Sequence, residues 1–338
     1  MVTGVAIVGC GSVGRKRAAA LNGIPLVVVH DLDPASAGAI STQHPGCRVA
    51  ATWQDAVTSP DVDLVIVATS HDALAPIARA AIAGGKHVLV EKPGARSFEE
   101  FEPVVADART ANLVLKVGFN HRFHPALAKA HQLFTSGVIG PLMYIRARYG
   151  HGGRLGYETE WRADPDRAGG GELLDQGVHL IDLARWFAGD FDDVSGHIST
   201  CFWNMPVEDN AFMLLRRGQA VTASLHVSWT EWKNLFSFEV FGRLGKFQID
   251  GLGGSYGPER LTWYRMLPEM GPPEVDTWEF KGPDLSWEAE FDEMFNAIAI
   301  GRQPLGSAED GLAALRIVRD LYARSKRSTT PPTAEPPQ

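Results

Sequence analysis

The sequence predicts an α/β protein of two parts: a doubly wound parallel sheet first, then an α+β domain carrying a large, mostly antiparallel open sheet. Three observations predict it. Over the first 119 residues, short apolar runs alternate with helical stretches, the pattern of a parallel sheet covered on both faces. The first run ends in Gly9-Cys10-Gly11-Ser12-Val13-Gly14 and leads into a helix. From residue 194 onward, strand-like runs follow one another with glycine-marked turns, as in an antiparallel sheet.

At 338 residues the chain is long for one core, so two domains are expected, at 1–119 and 120–326, with a disordered Pro-rich tail at 327–338. Hydrophobic content of 45% and charged content of 21% are those of a globular protein, and a net charge of −8 argues against nucleic acid as the main ligand. No apolar run reaches the roughly 18–20 residues of a membrane helix, and no basic leader precedes the first strand. Cys10, Cys47 and Cys201 are odd in number and widely spaced, which points to a reducing, cytoplasmic setting rather than to disulfides.

Residues 5–8 read as the first strand and alanine-rich 15–22 as the first helix, with G-x-G-x-x-G between them. Gly9 permits the tight turn, Gly11 lets backbone approach a pyrophosphate and Gly14 lets helix pack on strand. Ser12 and Val13 complete the loop, and the N–H groups at the N-terminus of the following helix attract phosphate. This is the outline of a Rossmann dinucleotide site. Strand 26–30 ends at Asp31, an acceptor for ribose hydroxyls that repels a 2′-phosphate; NAD is favoured and NADP left open. The Asp31-Leu32-Asp33-Pro34 run also reads as a helix-initiating turn.

A helix at 35–42, a short strand at 48–50 and a helical turn at 53–57 follow. Strand 63–69 is an unbroken apolar run, and helix 73–83 closes on Gly84-Gly85. Strand 87–90 ends in Glu91-Lys92-Pro93, a capping box of Ser97 and Glu100 opens a helix to 112, and 113–117 is the last strand. The glycine loop, Thr69 and Glu91–Pro93 thus share the carboxyl edge of the sheet, where ligands bind. Lys92 reads either as a donor to a substrate oxygen or as a solvated lysine before a turn, with the isomer of its bond to Pro93 open.

Residues 169–183 form a glycine-rich loop running into a helix, with Asp175 and His179 four apart on one face. The pair reads either as a carboxylate–imidazole unit able to move a proton near neutrality, or as a helix-opening Asp beside a packed core His.

Together these pieces resemble the Gfo/Idh/MocA family, named for glucose-fructose oxidoreductase and inositol dehydrogenase. The matching residues are the glycine loop, Glu91-Lys92-Pro93, Asn120-x-Arg122-Phe123-x-Pro125, Gly170-Gly171-Glu172-Leu173-Leu174-Asp175-x-Gly177-x-His179-x-x-Asp182 and Ala308–Leu312. The resemblance implies a nicotinamide-dependent oxidoreductase acting on sugars, cyclitols or their derivatives, with Lys92, Asp175 and His179 as catalytic group. It places Gly9, Gly11, Ser12, Val13, Gly14, Asp31, Thr69, His71, Glu91 and Lys92 at the cofactor, and Asn120 and Arg122 with the catalytic three at the substrate. Two positions depart from the family pattern: Thr69-Ser70-His71 replaces T-P-N, and Arg17 stands where a histidine is frequent. Both bear on nicotinamide contacts more than on reaction class.

In the second domain, 125–136 reads as a helix and 142–149 as a strand. A long loop at 150–162 offers Arg154, Tyr157, Trp161 and Arg162 either to a substrate or to an oligomer contact. Strands are expected at 194–202, 210–215, 220–229, 235–241 and 246–250. Trp203, Trp229, Trp232, Phe236 and Phe238 would give that sheet a sticky face, and the resemblance implies subunit contacts there in a homodimer or homotetramer. Helices at 287–300 and 309–325 end the domain, the last of them, within 307–326, open to packing back on the first.

The expected chemistry is hydride transfer at a secondary hydroxyl: His179 takes the proton, Asp175 orients it, and Lys92 bonds the oxygen. Alternatives are an NAD-dependent glycosidase or eliminase using transient oxidation, and a non-catalytic dinucleotide sensor. A metal site of His121, His124, His151 and His179 is set aside, because spacing alone does not make ligands converge.

Overall fold

The computed structural model of the chain describes residues 2–325, so the expected tail at 327–338 lies outside the described residues. It comprises two compact units, one of residues 2–120 with 285–315 and one of 121–284 with 316–325.

The first unit runs β1 (Val5–Val8), α1 (Ser12–Ala19), β2 (Leu26–His30), α2 (Pro34–Gln43), β3 (Arg48–Val49), α3 (Trp53–Val57) and β4 (Leu64–Val67). It continues with α4 (His71–Ala83), β5 (His87–Val90), α5 (Phe98–Thr110) and β6 (Leu115–Val117). The six strands pair in the order β3-β2-β1-β4-β5-β6, all parallel. β1 and β4 are buried along their whole length, as runs of Val, Ile and Leu covered on both faces must be. Ser97 caps α5 by accepting from the Glu100 N–H at 3.3 Å, but the capping box is only half made. The Glu100 carboxylate is drawn instead to the Arg96 guanidinium and backbone N–H, a stronger partner than a neutral amide alone.

The second unit follows a 3₁₀ turn at Asn120–Phe123. It contains α6 (Pro125–Thr135), β7 (Leu142–Gly150), the short α7 (Pro165–Ala168), a π-helical turn at Leu173–Gly177 and α8 (Val178–Ala188). Then come β8 (Asp193–Ser199), β9 (Asn210–Arg217), β10 (Val221–Ser228), β11 (Leu235–Gly242), β12 (Gly245–Asp250), β13 (Glu259–Arg265) and β14 (Glu274–Phe280). The eight strands pair in the order β14-β13-β12-β11-β7-β10-β9-β8, antiparallel except for β10 with β7. Inward residues alternate strictly, as with Ile145, Ala147 and Tyr149 on β7 and Val221, Ala223, Leu225 and Val227 on β10. α8 covers this inner face beside β7 and β10, and α6 beside β12 and β13.

Two departures from the sequence reading stand out. β13 and β14 were not anticipated, because Arg265, Glu274 and Asp276 break up any apolar run; charge of this kind protects an outer strand from pairing with other chains. The expected sticky aromatic face is not there either. Trp229, Phe236 and Phe238 are fully buried and Trp203 nearly so, leaving only Trp232 of the five exposed. Phe236 and Phe238 occupy the inward register of β11, while Trp203 and Trp229 join Tyr157 in a small separate core.

The last helices are α9 (Ser286–Ile300) and α10 (Ala308–Arg324). Residues 285–315 group with the first unit, whereas the sequence places 285–306 in the second and leaves only the last helix, within 307–326, open to packing back. Phe291 and Met294 of α9 find their apolar partners there, among Ile7, Val29, Leu64 and Leu89.

Candidate active site

The first unit carries the expected cofactor side. Gly9 has a φ of +96°, and a Cβ there would lie 2.3 Å from the Ala68 carbonyl oxygen; a Cβ on Gly14 would lie 2.0 Å from that of Gly9. Around Gly11, by contrast, a Cβ would meet nothing within 4 Å. The loop is therefore closed against the sheet and open toward a ligand. Gly11 is also the N-cap of α1, so no side chain competes for the free N–H groups that Ser12 and Val13 begin.

Asp31 sits at the end of β2 and accepts from the Cys10 N–H at 2.6 Å and the Asp33 N–H at 2.8 Å. The helix-initiating role falls to Asp33 instead, which caps α2 through Ala35 and Ser36. Asp31 is thus held against the glycine loop, the place from which a carboxylate reaches a ribose. A carboxylate acceptor in this place fits a dinucleotide without a 2′-phosphate. Thr69 lies between β4 and α4, and His71 is the buried first residue of α4.

The Lys92–Pro93 bond is cis. Glu91 just before it does not present its carboxylate to a ligand. Arg17, fully buried on α1, donates to Glu91 at 2.6 Å and to Glu290 of α9 at 2.6 Å, and Lys116 of β6 lies 3.1 Å from Glu290. Burial opposes the Arg17 charge, but Glu290 and Glu91 outweigh it and raise its pKa. Burial likewise pushes Glu91 upward, with Arg17 pulling it back. Glu91 therefore leaves the cofactor set and joins a neutral, four-membered charge cluster. Asn120 closes the unit, its amide donated to the Ser286 hydroxyl at 3.0 Å.

The second unit carries Asp175 and His179, on the π-helical turn and the first turn of α8 respectively. Their entry is fixed by Glu208, whose carboxylate accepts from the Gly171 N–H at 3.1 Å, the Leu173 N–H at 3.2 Å and the Tyr322 hydroxyl at 2.6 Å. Both catalytic candidates are buried, and Asp175 accepts from Arg162 Nε at 3.2 Å. Asp175 raises the Arg162 pKa despite burial, so the guanidinium keeps its charge. The loop's other residues divide. Trp161 lies under the Arg162 guanidinium at 4.6 Å, and Arg154 pairs with Glu160 at 2.6 Å. Tyr157 is buried edge-on against Trp203 and Trp229, which makes it part of the loop's packing rather than an open stacking surface.

Arg122 is a further correction. Its guanidinium is buried and bidentate to Asp182 of α8, at 2.8 and 2.5 Å, so it ties the 3₁₀ turn to the helix instead of gripping a ligand. That tie brings in a residue the site reading missed. His121 stacks on His179 with ring centroids 3.7 Å apart and planes 18° from parallel. Tyr149 stands edge-on to both rings, and burial holds its phenol well above the usual range. The signal for His121 was its place inside the Asn-x-Arg motif; Tyr149 was legible only as an inward position of β7.

Residues 3–119 match a family described as an oxidoreductase family with an NAD-binding Rossmann fold, and residues 127–248 match the GFO/IDH/MocA C-terminal domain. Levoglucosan dehydrogenase of Pseudarthrobacter phenanthrenivorans is 29% identical over 225 residues, 60% of this chain. The chain spans only 56% of that relative's length. Inositol 2-dehydrogenase of Acidothermus cellulolyticus is 27% identical over 345 residues, covering 98% of this chain and 95% of the relative. A solved levoglucosan dehydrogenase, in complex with NADH and levoglucosan, superposes with a TM-score of 0.84 at 23% identity, over 95% of this chain and 96% of the other; that likeness is one of fold. With both domain matches in place and the glycine loop and buried Asp175/His179 pair within them, the chain belongs to the Gfo/Idh/MocA family.

Proposed function

We propose that the protein is an NAD-dependent oxidoreductase, with NADP as second choice, acting on a secondary hydroxyl of a sugar, cyclitol or sugar derivative. The observation that carries this reading is the buried His179 one turn beyond an Asp175 already charge-paired with Arg162, in a chain whose other unit has the NAD-binding Rossmann fold. When bound, the nicotinamide supplies the hydride acceptor. His179 removes the hydroxyl proton, and Asp175 steadies the imidazolium so formed. Lys92 donates to the same oxygen as it becomes a carbonyl, favouring the charge that develops there. Arg162, with Trp161 beneath it, would hold a ring hydroxyl. The dehydrogenases named above act, by their names, on levoglucosan and inositol, which makes compact polyhydroxy rings the first substrates to try.

The test is turnover of His179→Ala on such a panel. The expected result is a loss of about 10²–10⁴-fold with NADH affinity retained; undiminished turnover would remove His179 from the mechanism. Turnover without net change in cofactor would assign the transient-oxidation alternative.

Self-association as a dimer or tetramer also belongs to the proposal. Tyr144, Phe212 and Leu214 are exposed on the outward face of the eight-stranded sheet, and light scattering reads the mass directly. Cytoplasmic residence is proposed as well, from three cysteines that are all unpaired. Among the described residues, no helix is long and apolar enough to cross a membrane.

A further inference from the structure

We propose that His121 is a positioning residue for His179: its imidazole forms a fixed shelf under the catalytic ring and lowers the proton affinity of that ring. The inference rests on the reading of His179 as the base.

The geometry carries it. Rings 3.7 Å apart and 18° from parallel share most of a face, so His179 cannot turn about its ring bond without leaving the stack. The shelf itself is anchored on both sides. Its neighbour Arg122 is clamped to Asp182, on the same helix as His179 and three residues further on. On the other side, His124 Nδ1 lies 3.1 Å from Glu259, whose carboxylate also accepts from the Ala126 N–H at 2.8 Å. Tyr149 of β7 closes the edge, 5.3 Å from His121. The shelf and the ring it supports are therefore tied to the same helix.

Two imidazoles this close cannot both hold a proton at low cost, because like charges in a site poor in water repel strongly. The pair takes one proton before it takes two, and any share held by His121 lowers the share available to His179. The buried Glu172 carboxylate lies close enough to act on Tyr149 and Tyr256 and adds negative charge to the site, which favours the first proton on the pair without removing the repulsion that opposes a second. Asp175 is balanced by Arg162, and Asp182 by Arg122. Tyr149 and Tyr256 are both pushed upward by burial and stay neutral, while burial shifts His151 downward, against the pull of Asp175. His124 faces Glu259, with Asp284 4.0 Å away.

His121→Phe keeps a flat ring and removes the second titrating site. Imidazole nitrogen NMR on the full chain, titrated from acid to neutral pH, reads His179 directly and needs no substrate. The expected result is an upward move of the His179 midpoint by about 0.5–1 pH unit in His121→Phe. His121→Ala, which removes the shelf, should lower turnover at least about ten-fold on whichever panel sugar or cyclitol the wild type oxidises, with NADH affinity unchanged. His121→Phe should recover most of that loss. An unmoved His179 midpoint in His121→Phe overturns the inference, as does equal turnover in His121→Ala and wild type. The two failures separate: an active His179→Ala sinks the assignment of the base, whereas an inactive His179→Ala with an unmoved midpoint sinks only the shelf.

Discussion

Arg17 is a charged side chain with no contact to water, and its neighbours explain why it tolerates that place. Taking a guanidinium out of water costs several kcal/mol, a cost offset only when partners are close and well aligned. Glu91 and Glu290 supply two such partners at 2.6 Å, and the Arg17 guanidinium also lies over the Trp287 ring at 4.5 Å. Arg17→Met would leave Glu91 without its cation and Glu290 with Lys116 alone. The expected loss is about 3–5 kcal/mol in chemical denaturation; a change under about 1 kcal/mol would mean that the cluster contributes little. The sequence singled out Arg17 only as an unusual residue near the glycine loop. That it is buried depends on α9, whose Glu290 is 273 positions away in the chain, which no local pattern reports.

At the scale of elements, the helix that carries Asp175 and His179 begins irregularly. A π-helical turn at Leu173–Gly177 precedes regular α8, and such turns recur at functional sites. Glu208 supplies the acceptors that the first N–H groups would otherwise lack. The close approach demands glycine: a Cβ on Gly171 would lie 2.0 Å from the Glu208 carbonyl oxygen, a backbone atom that cannot swing away. Gly171→Ala is therefore expected to destabilise by about 3 kcal/mol, read as a lowered thermal midpoint; an unchanged midpoint would show that the turn can relax. The glycine run was legible as a helix entry, because apolar spacing after it has a helical period. Its π geometry was not, because no short-range pattern separates a π turn from the α-helix it opens, and the Glu208 that accepts from Gly171 and Leu173 sits in a loop beyond β8. The half-made capping box at Ser97 teaches the same lesson: the pattern was right, but Arg96 drew away the second partner.

For the whole molecule, the cofactor choice follows from Asp31 at the end of β2, without an arginine after it. NADH at about a hundred times its dissociation constant should add about 2.7 kcal/mol to stability, visible as a rise in the unfolding temperature. NADPH at the same concentration should give less, because its 2′-phosphate meets the Asp31 carboxylate; a larger shift with NADPH would reverse the preference. What the sequence by itself determined was whatever short-range pattern encodes. This includes the alternation of strands and helices in the first unit, the glycine loop with Asp31, the E-K-P strand end and the four-residue spacing of Asp175 and His179. The tertiary structure alone decided which groups meet across long stretches of chain. It buried Arg17 with Glu290, returned residues 285–315 to the first unit, turned Trp229, Phe236 and Phe238 inward and laid His121 on His179. The physical reason is that burial and pairing are properties of the packed chain, whereas periodicity and turn chemistry are written in neighbouring residues.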